Sequence, residues 1–92
     1  MHRYPELSNS QNILIEIDRG GPIDTETVMS LLKLDESTSS NYLRKLHGAR
    51  FLSRKNVNKH QKAGGRKFEY TLTSGGKKRV AWIKTKILKL PA

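Results

Sequence analysis

A group of short polar and cationic side chains between residues 37 and 45 has the chemistry to bind nucleic acid. Serine and threonine hydroxyls can bond a base or a phosphate, and the Asn41 amide can pair with an adenine edge. Arg44 and Lys45 can reach phosphates or a guanine edge. The candidate reading residues are Ser37, Thr38, Ser40, Asn41, Arg44 and Lys45. The alternative is a solvated helix face, although such a face more often carries Glu–Lys pairs.

A second group, between residues 58 and 67, is cationic and contains no acid. Gly64 and Gly65 give this segment the composition of a turn. Its basic or potentially basic members are Lys59, His60, Lys62, Arg66 and Lys67. Cations at this density attract a polyanion. The alternative is a loop whose charges only keep the protein soluble.

The two halves of the chain differ in charge. Residues 1–50 contain six Lys or Arg and seven Asp or Glu, a net charge of −1. Residues 51–92 contain twelve Lys or Arg and a single acid, Glu69, a net charge of +11. The asymmetry favours a polyanionic partner on one surface, while the remainder of the protein is free to fold.

Length and composition exclude several classes of protein. Ninety-two residues suffice for one domain, and the absence of cysteine excludes disulfides and thiolate zinc sites. No apolar run approaches the roughly 20 residues that a membrane-spanning helix needs. The N-terminus lacks the apolar stretch of a signal peptide. We therefore expect a soluble, cytoplasmic protein with no membrane contact.

Nothing in the sequence indicates catalysis or metal binding. His2, His47 and His60 are scattered, without carboxylates at the spacing of a metal site. Asp24 and Asp35 precede predicted helices, where capping explains them. We expect no enzymatic activity, no cofactor and no metal.

Three helices are predicted in the first half, after an irregular lead over residues 1–7. The expected capping residues are Ser8, Asp24 and Asp35. The expected helices cover residues 9–19, 25–33 and 36–49. In the third helix, Ser39, Leu43 and Leu46 face inward by periodicity, which turns the candidate reading residues toward solvent.

The second half predicts a β-hairpin and one more helix. Strands over residues 52–57 and 67–73 flank the cationic segment, and the second alternates apolar and polar side chains. Ser74 is expected to cap a last helix over residues 76–90.

The last helix has two interpretations. An apolar stripe, with Trp82 beside it, packs either on the first helix of the same chain or on a second copy. We expect dimerisation through Val80, Trp82, Ile83, Ile87 and Leu90, because palindromic DNA sites require two-fold dimers. Residues 77–79 place cations at the helix start, consistent with a phosphate contact or with exposure alone.

The order of elements and several segments resemble winged helix-turn-helix transcription regulators of the MarR, ArsR and PadR groups. The matching segments are 21–23, 28–34, 37–46, 51–52 and 70–75. The resemblance implies an α+β fold: a winged helix-turn-helix over residues 8–75, comprising a three-helix core and a two-stranded wing, followed by a C-terminal helix over 76–92. Ser39 departs from the family pattern, which usually has a β-branched apolar residue there.

The resemblance also implies a function: sequence-specific binding of double-stranded DNA by a homodimeric transcription regulator. Repression is the simpler expectation for this regulator than activation. The helix over 36–49 would enter the major groove, and the wing over 58–67 would lie on the backbone or in the minor groove. Two alternatives remain. One is RNA or ribosome association, which the narrow major groove of duplex RNA disfavours. The other is a protein-interaction domain in a larger assembly.

Overall fold

The fold consists of four helices and a two-stranded antiparallel hairpin, within residues 3–57 and 68–90 that the computed structural model describes. Along the chain these elements are α1 (Asn9–Gly20), α2 (Thr25–Leu32), α3 (Glu36–Gly48), β1 (Leu52–Asn56), β2 (Phe68–Leu72) and α4 (Ser74–Lys86). The predicted α+β winged helix-turn-helix is confirmed. Within the described ranges, no helix is long and apolar enough to cross a membrane.

The first helix, α1, lies at the centre of the core. Its predicted cap, Ser8, forms a capping box: the Ser8 hydroxyl accepts from the Gln11 N–H at 3.2 Å, and the Gln11 amide oxygen accepts from the Ser8 N–H at 2.9 Å. The helix contacts α3, α4 and β2, so apolar residues on several of its sides are covered. These are Ile13, Leu14, Ile15 and Ile17.

The lead segment is tied to α1 by Asn12, a buried polar residue that the sequence analysis did not identify. Its amide oxygen accepts from the Tyr4 N–H at 2.7 Å, and its amide nitrogen donates to the Tyr4 carbonyl at 3.0 Å. The same nitrogen donates to the carbonyls of Leu7 and Ser8. Leu7, in this lead segment, is buried in the core.

A short turn joins α2 to α3 and sets the angle of the helix pair. Asp24 caps α2 by accepting from the Thr27 N–H at 2.9 Å. Lys33, in the left-handed conformation at φ 55°, ends α2 one residue earlier than predicted. Val28 and Leu31 are buried on α2, which makes extensive contacts with α3.

The hairpin pairs β1 with β2 in a register that places Arg54 opposite Tyr70 and Asn56 opposite Phe68. Each strand ends one residue earlier than predicted, β1 at Asn56 and β2 at Leu72. Ile23 adds a single bridge at the other edge of β2: its N–H donates to the Tyr70 carbonyl at 3.1 Å, and its carbonyl accepts from the Tyr70 N–H at 2.8 Å. The loop before α2 is thereby fixed to the hairpin.

The boundaries predicted for the last helix are wrong at both ends. The N-cap of α4 is Thr73 rather than Ser74: its hydroxyl accepts from the Gly76 N–H at 3.1 Å and donates to the Arg50 carbonyl at 2.6 Å. The helix ends at Lys86 rather than residue 90. The backbone beyond it bends away, with Lys89 at φ 54°.

Candidate nucleic-acid interface

The outward face of α3 carries the predicted reading residues, because its opposite face is fixed in the core. Ser39, Leu43 and Leu46 are buried, and they hold the helix in the orientation that its periodicity predicts. On the outer face, the exposed members of the predicted set are Ser37, Asn41, Arg44 and Lys45. Thr38 and Ser40 are half-buried.

Thr38 has a local role at the start of α3. Its N–H donates to the Asp35 carboxylate at 2.8 Å. Hydrogen bonds from the Thr38 side chain and backbone lower the pKa of Asp35 from its ordinary value. The Thr38 hydroxyl is therefore engaged with the cap, whereas the hydroxyls of Ser37 and Ser40 lie on the side of α3 that carries Asn41 and Arg44.

A cleft of about 620 Å³ is lined by residues of α3, of both strands of the hairpin and of the start of α2. Ser40 and Arg44 line it from α3, and Arg54 and Phe68 line it from the two strands. The remaining lining residues are Asp24, Thr25, Glu26, Met29, Glu36 and Tyr70. The structure thus places cations from the helix and from the hairpin in one concave surface.

Arg54 is a candidate contact that the sequence analysis did not identify. Its guanidinium lies over the Phe68 ring at 4.4 Å from the centroid, and the Phe68 ring packs edge-on against Tyr70. Stacking on an aromatic ring restricts the arginine without occupying all of its hydrogen-bond donors. Nothing in residues 52–56 alone indicates this contact, because it depends on the pairing of β1 with β2.

The cationic wing tip lies outside the described residues. Lys59, His60, Lys62, Arg66 and Lys67 were predicted to contact the DNA backbone or minor groove, and that assignment stays a prediction.

The residues predicted to form a dimer interface divide into two groups. Val80 and Ile83 are buried within the same chain, where α4 packs on α1, so they are not available to a second copy. Trp82 is 45% exposed and Leu90 is 44% exposed, while Ile87 is half-buried. The exposed apolar surface of this segment is therefore smaller than the stripe suggested.

Two polar features accompany α4. The Lys84 ammonium pairs with the Asp18 carboxylate at 2.6 Å, which joins α4 to α1. The Arg79 guanidinium lies 5.3 Å from the ring centroids of both Phe51 and Trp82. Within the described residues, no three His, Asp or Glu side chains are grouped to hold a metal ion.

Comparison with solved structures finds the same fold in bacterial transcriptional regulators. The regulator Tm0710 from Thermotoga maritima matches with a TM-score of 0.69 and 18% identity, over 83% of this chain and 50% of that chain. PadR from Bacillus subtilis, solved with operator DNA, matches with a TM-score of 0.64 and 24% identity, over 78% and 44%. PcaV from Streptomyces coelicolor, solved with its natural ligand, matches with a TM-score of 0.71 and 20% identity, over 92% and 58%.

These similarities confirm the resemblance to winged helix-turn-helix regulators at the level of the fold. The chain spans about half the length of each of these three structures. No protein-family model matches the chain, and no curated protein matches it.

Proposed function

We propose that the chain is a transcriptional regulator that binds double-stranded DNA in a sequence-specific manner. The observation that carries the proposal is the uncovered face of α3, where Ser37, Asn41, Arg44 and Lys45 are exposed together. Hydroxyl, amide and guanidinium groups on one helix face match the hydrogen-bonding pattern of base edges and phosphates.

The dimensions of α3 suit the major groove. A helix of 13 residues is about 20 Å long, and a groove about 12 Å wide admits it with its side chains. Asn41, near the middle of α3, would pair with an adenine. Arg44 and Lys45, one turn further on, would contact a guanine or the backbone. The match to PadR, which was solved in complex with operator DNA, supports DNA binding by a chain of this fold.

The hairpin would act as the wing that holds the flanking DNA. Arg54, in the middle of β1, lines the same cleft as Arg44. The cations of residues 59–67 extend the positive charge along the chain. Contacts of this kind strengthen binding to every sequence and make it depend on salt, because each neutralised phosphate releases counterions.

A homodimeric repressor is the specific form that we propose. Trp82, Ile87 and Leu90 supply the apolar surface that α4 and the segment after it leave uncovered. A second copy that covered this surface would present two α3 helices to a palindromic site. Sedimentation should then find a dimer that Trp82→Ala weakens, whereas an unchanged mass for this variant would contradict the interface.

Selection of bound duplexes from a random DNA pool tests the proposed function. We expect the recovered duplexes to share an inverted repeat, and duplex RNA of the same sequence to compete poorly, because its narrow major groove excludes α3. Recovery of unrelated sequences, or equal competition by the RNA, would contradict sequence-specific recognition of DNA.

A further inference from the structure

Besides Asp24, which caps α2, two carboxylates line the cleft at the candidate interface, and neither is needed for the roles proposed for Asn41, Arg44 and Lys45. Glu26 is in the first turn of α2, and Glu36 is the first residue of α3. Both are exposed and line the cleft that contains Arg44 and Arg54. Because a carboxylate is repelled by phosphates, it lowers DNA affinity unless a base offers it a hydrogen-bond donor.

The position of Glu36 on α3 distinguishes it from Glu26. The N-terminal residues of a recognition helix are those that contact base edges, and Glu36 begins α3. Glu36, Ser40 and Arg44 are spaced four residues apart, so they form one stripe along the helix, on the side that lines the cleft. Among the residues that the structure describes, Glu36 forms no ion pair that would occupy its carboxylate.

The length of this stripe can be compared with the spacing of base pairs in DNA. Eight residues separate Glu36 from Arg44, which is about 12 Å along the helix axis at 1.5 Å per residue. At 3.4 Å per base along one strand, this distance corresponds to roughly three or four base pairs. The stripe therefore presents an acceptor and a donor to bases at separate positions in one half-site.

We infer, on the basis of the DNA-binding function proposed above, that Glu36 is a specificity-determining residue that accepts a hydrogen bond from the N4 amino group of a cytosine. In the major groove, cytosine offers a donor, guanine offers two acceptors, and thymine offers an acceptor and a methyl group. Adenine places an acceptor beside its donor. A carboxylate therefore favours cytosine and disfavours guanine and thymine most strongly.

A simpler role for Glu36 makes a different prediction. An acid in the first turn stabilises a helix through the positive end of its dipole. That interaction is the same whichever base is present. Base preference therefore separates recognition by Glu36 from a purely structural contribution to α3.

Glu36→Gln and Glu26→Gln form a matched pair for the test. Each variant removes one negative charge from the same cleft, so each should raise affinity for random duplexes at low salt. Duplex selection with the wild type and both variants, followed by titration of duplexes that differ at the cytosine position, measures the outcome. Only Glu36→Gln should reduce the preference for cytosine, by about tenfold, since a glutamine amide can pair with adenine instead.

The inference is overturned if Glu36→Gln keeps the wild-type base preference and raises all affinities as Glu26→Gln does. It is also overturned if Glu36→Gln loses affinity for every duplex alike. In both cases the wild type still selects a sequence, so the proposed DNA-binding function stands. A wild type that selects no sequence overturns that function, and the role of Glu36 with it.

Discussion

Gly76 allows the first turn of α4 to lie directly against the backbone of Phe51. A Cβ built at this position would lie 2.2 Å from the Phe51 carbonyl oxygen and 3.1 Å from the Leu72 Cδ2. The junction between α3 and β1 therefore fixes where α4 can begin. At the neighbouring Gly75, a Cβ would lie 3.5 Å from the Arg50 carbonyl oxygen, an ordinary contact.

Gly76→Ala should destabilise the protein by about 1–3 kcal/mol, because the added methyl group would push the start of α4 away from the Phe51 backbone. Gly75→Ala is the control, and it should be neutral or stabilising by up to about 1 kcal/mol, since alanine has the higher helix propensity. Urea unfolding of both variants and the wild type measures the difference. Equal free energies of unfolding for the two variants would show that the close approach to Phe51 is absent.

Ser39 is a polar residue in an otherwise apolar part of the core. It is 0% exposed, and its hydroxyl oxygen has no hydrogen-bond partner among the described residues. The sequence predicted the inward orientation of Ser39 from the spacing of Leu43 and Leu46. Whether a buried hydroxyl finds a partner depends on neighbouring elements, and periodicity carries no information about them.

Ser39→Ala should stabilise the protein by about 1 kcal/mol, because it removes a buried polar group that lacks a partner and raises helix propensity. Ser37→Ala, on the exposed side of the same helix, changes propensity alone and serves as the reference. Thermal unfolding should show a larger gain for Ser39→Ala. If Ser39→Ala is instead less stable than the wild type, the hydroxyl makes a bond that stabilises the native state.

At the scale of elements, local signals in the sequence were sufficient for the starts of the first three helices. Ser8, Asp24 and Asp35 each accept a bond from the N–H three residues on, as capping requires. At the start of α4, Thr73 and Ser74 are both residue types that commonly cap helices. The hydrogen bond from the Thr73 hydroxyl to the Arg50 carbonyl favours Thr73 as the cap. This bond joins residues that are 23 positions apart in the sequence.

Other features that join distant segments were not predicted either, because local sequence patterns do not show which distant residues come into contact. Asn12 holds the lead segment, Ile23 bridges to Tyr70, and Arg54 stacks on Phe68. The outward face of α3 was predictable because helical periodicity defines it. The cleft beside that face was not, because residues from α2, α3, β1 and β2 form it.

The cap of α3 should make the stability of this element depend on pH. Hydrogen bonds from Thr38 lower the pKa of Asp35 in the folded chain below its ordinary value. The cap therefore contributes fully above about pH 4, the ordinary range for an aspartate, and its contribution is lost as the pH falls through the folded-state pKa. Asn also caps helices but does not titrate.

Urea midpoints of the wild type and Asp35→Asn between pH 6 and pH 2.5 test this dependence. The two proteins should have similar midpoints at pH 6, and the wild type should lose more stability below pH 4. Parallel curves over the whole range would mean that Asp35 ionisation does not support α3.

At the scale of the whole molecule, the fold combines a nearly neutral scaffold with a basic second half. In residues 1–50 the seven acids nearly balance the six Lys and Arg residues. In residues 51–92 a single acid accompanies twelve Lys and Arg residues. The hairpin and α4 both belong to the second half. In the proposed function, general attraction for a polyanion and selective reading by α3 would therefore come from different parts of the chain.

Neutralising Lys62 and Arg66 together should weaken binding to specific and random duplexes by the same factor. The slope of log affinity against log salt should also become shallower, by about one for each phosphate that these side chains no longer neutralise. Fluorescence anisotropy at several salt concentrations gives both quantities. A weakening confined to the specific duplex would mean that these residues read bases instead.

The most direct test of the central claim, that the outer face of α3 reads DNA sequence, is the affinity of wild type and Asn41→Ala for a selected duplex and for a scrambled one. The wild type should prefer the selected duplex. Asn41→Ala should weaken binding to the selected duplex by about 1–3 kcal/mol, because one base-pair contact is lost. Its binding free energy for the scrambled duplex should be almost unchanged. An equal loss on both duplexes, or a wild type that binds them equally, would contradict the claim.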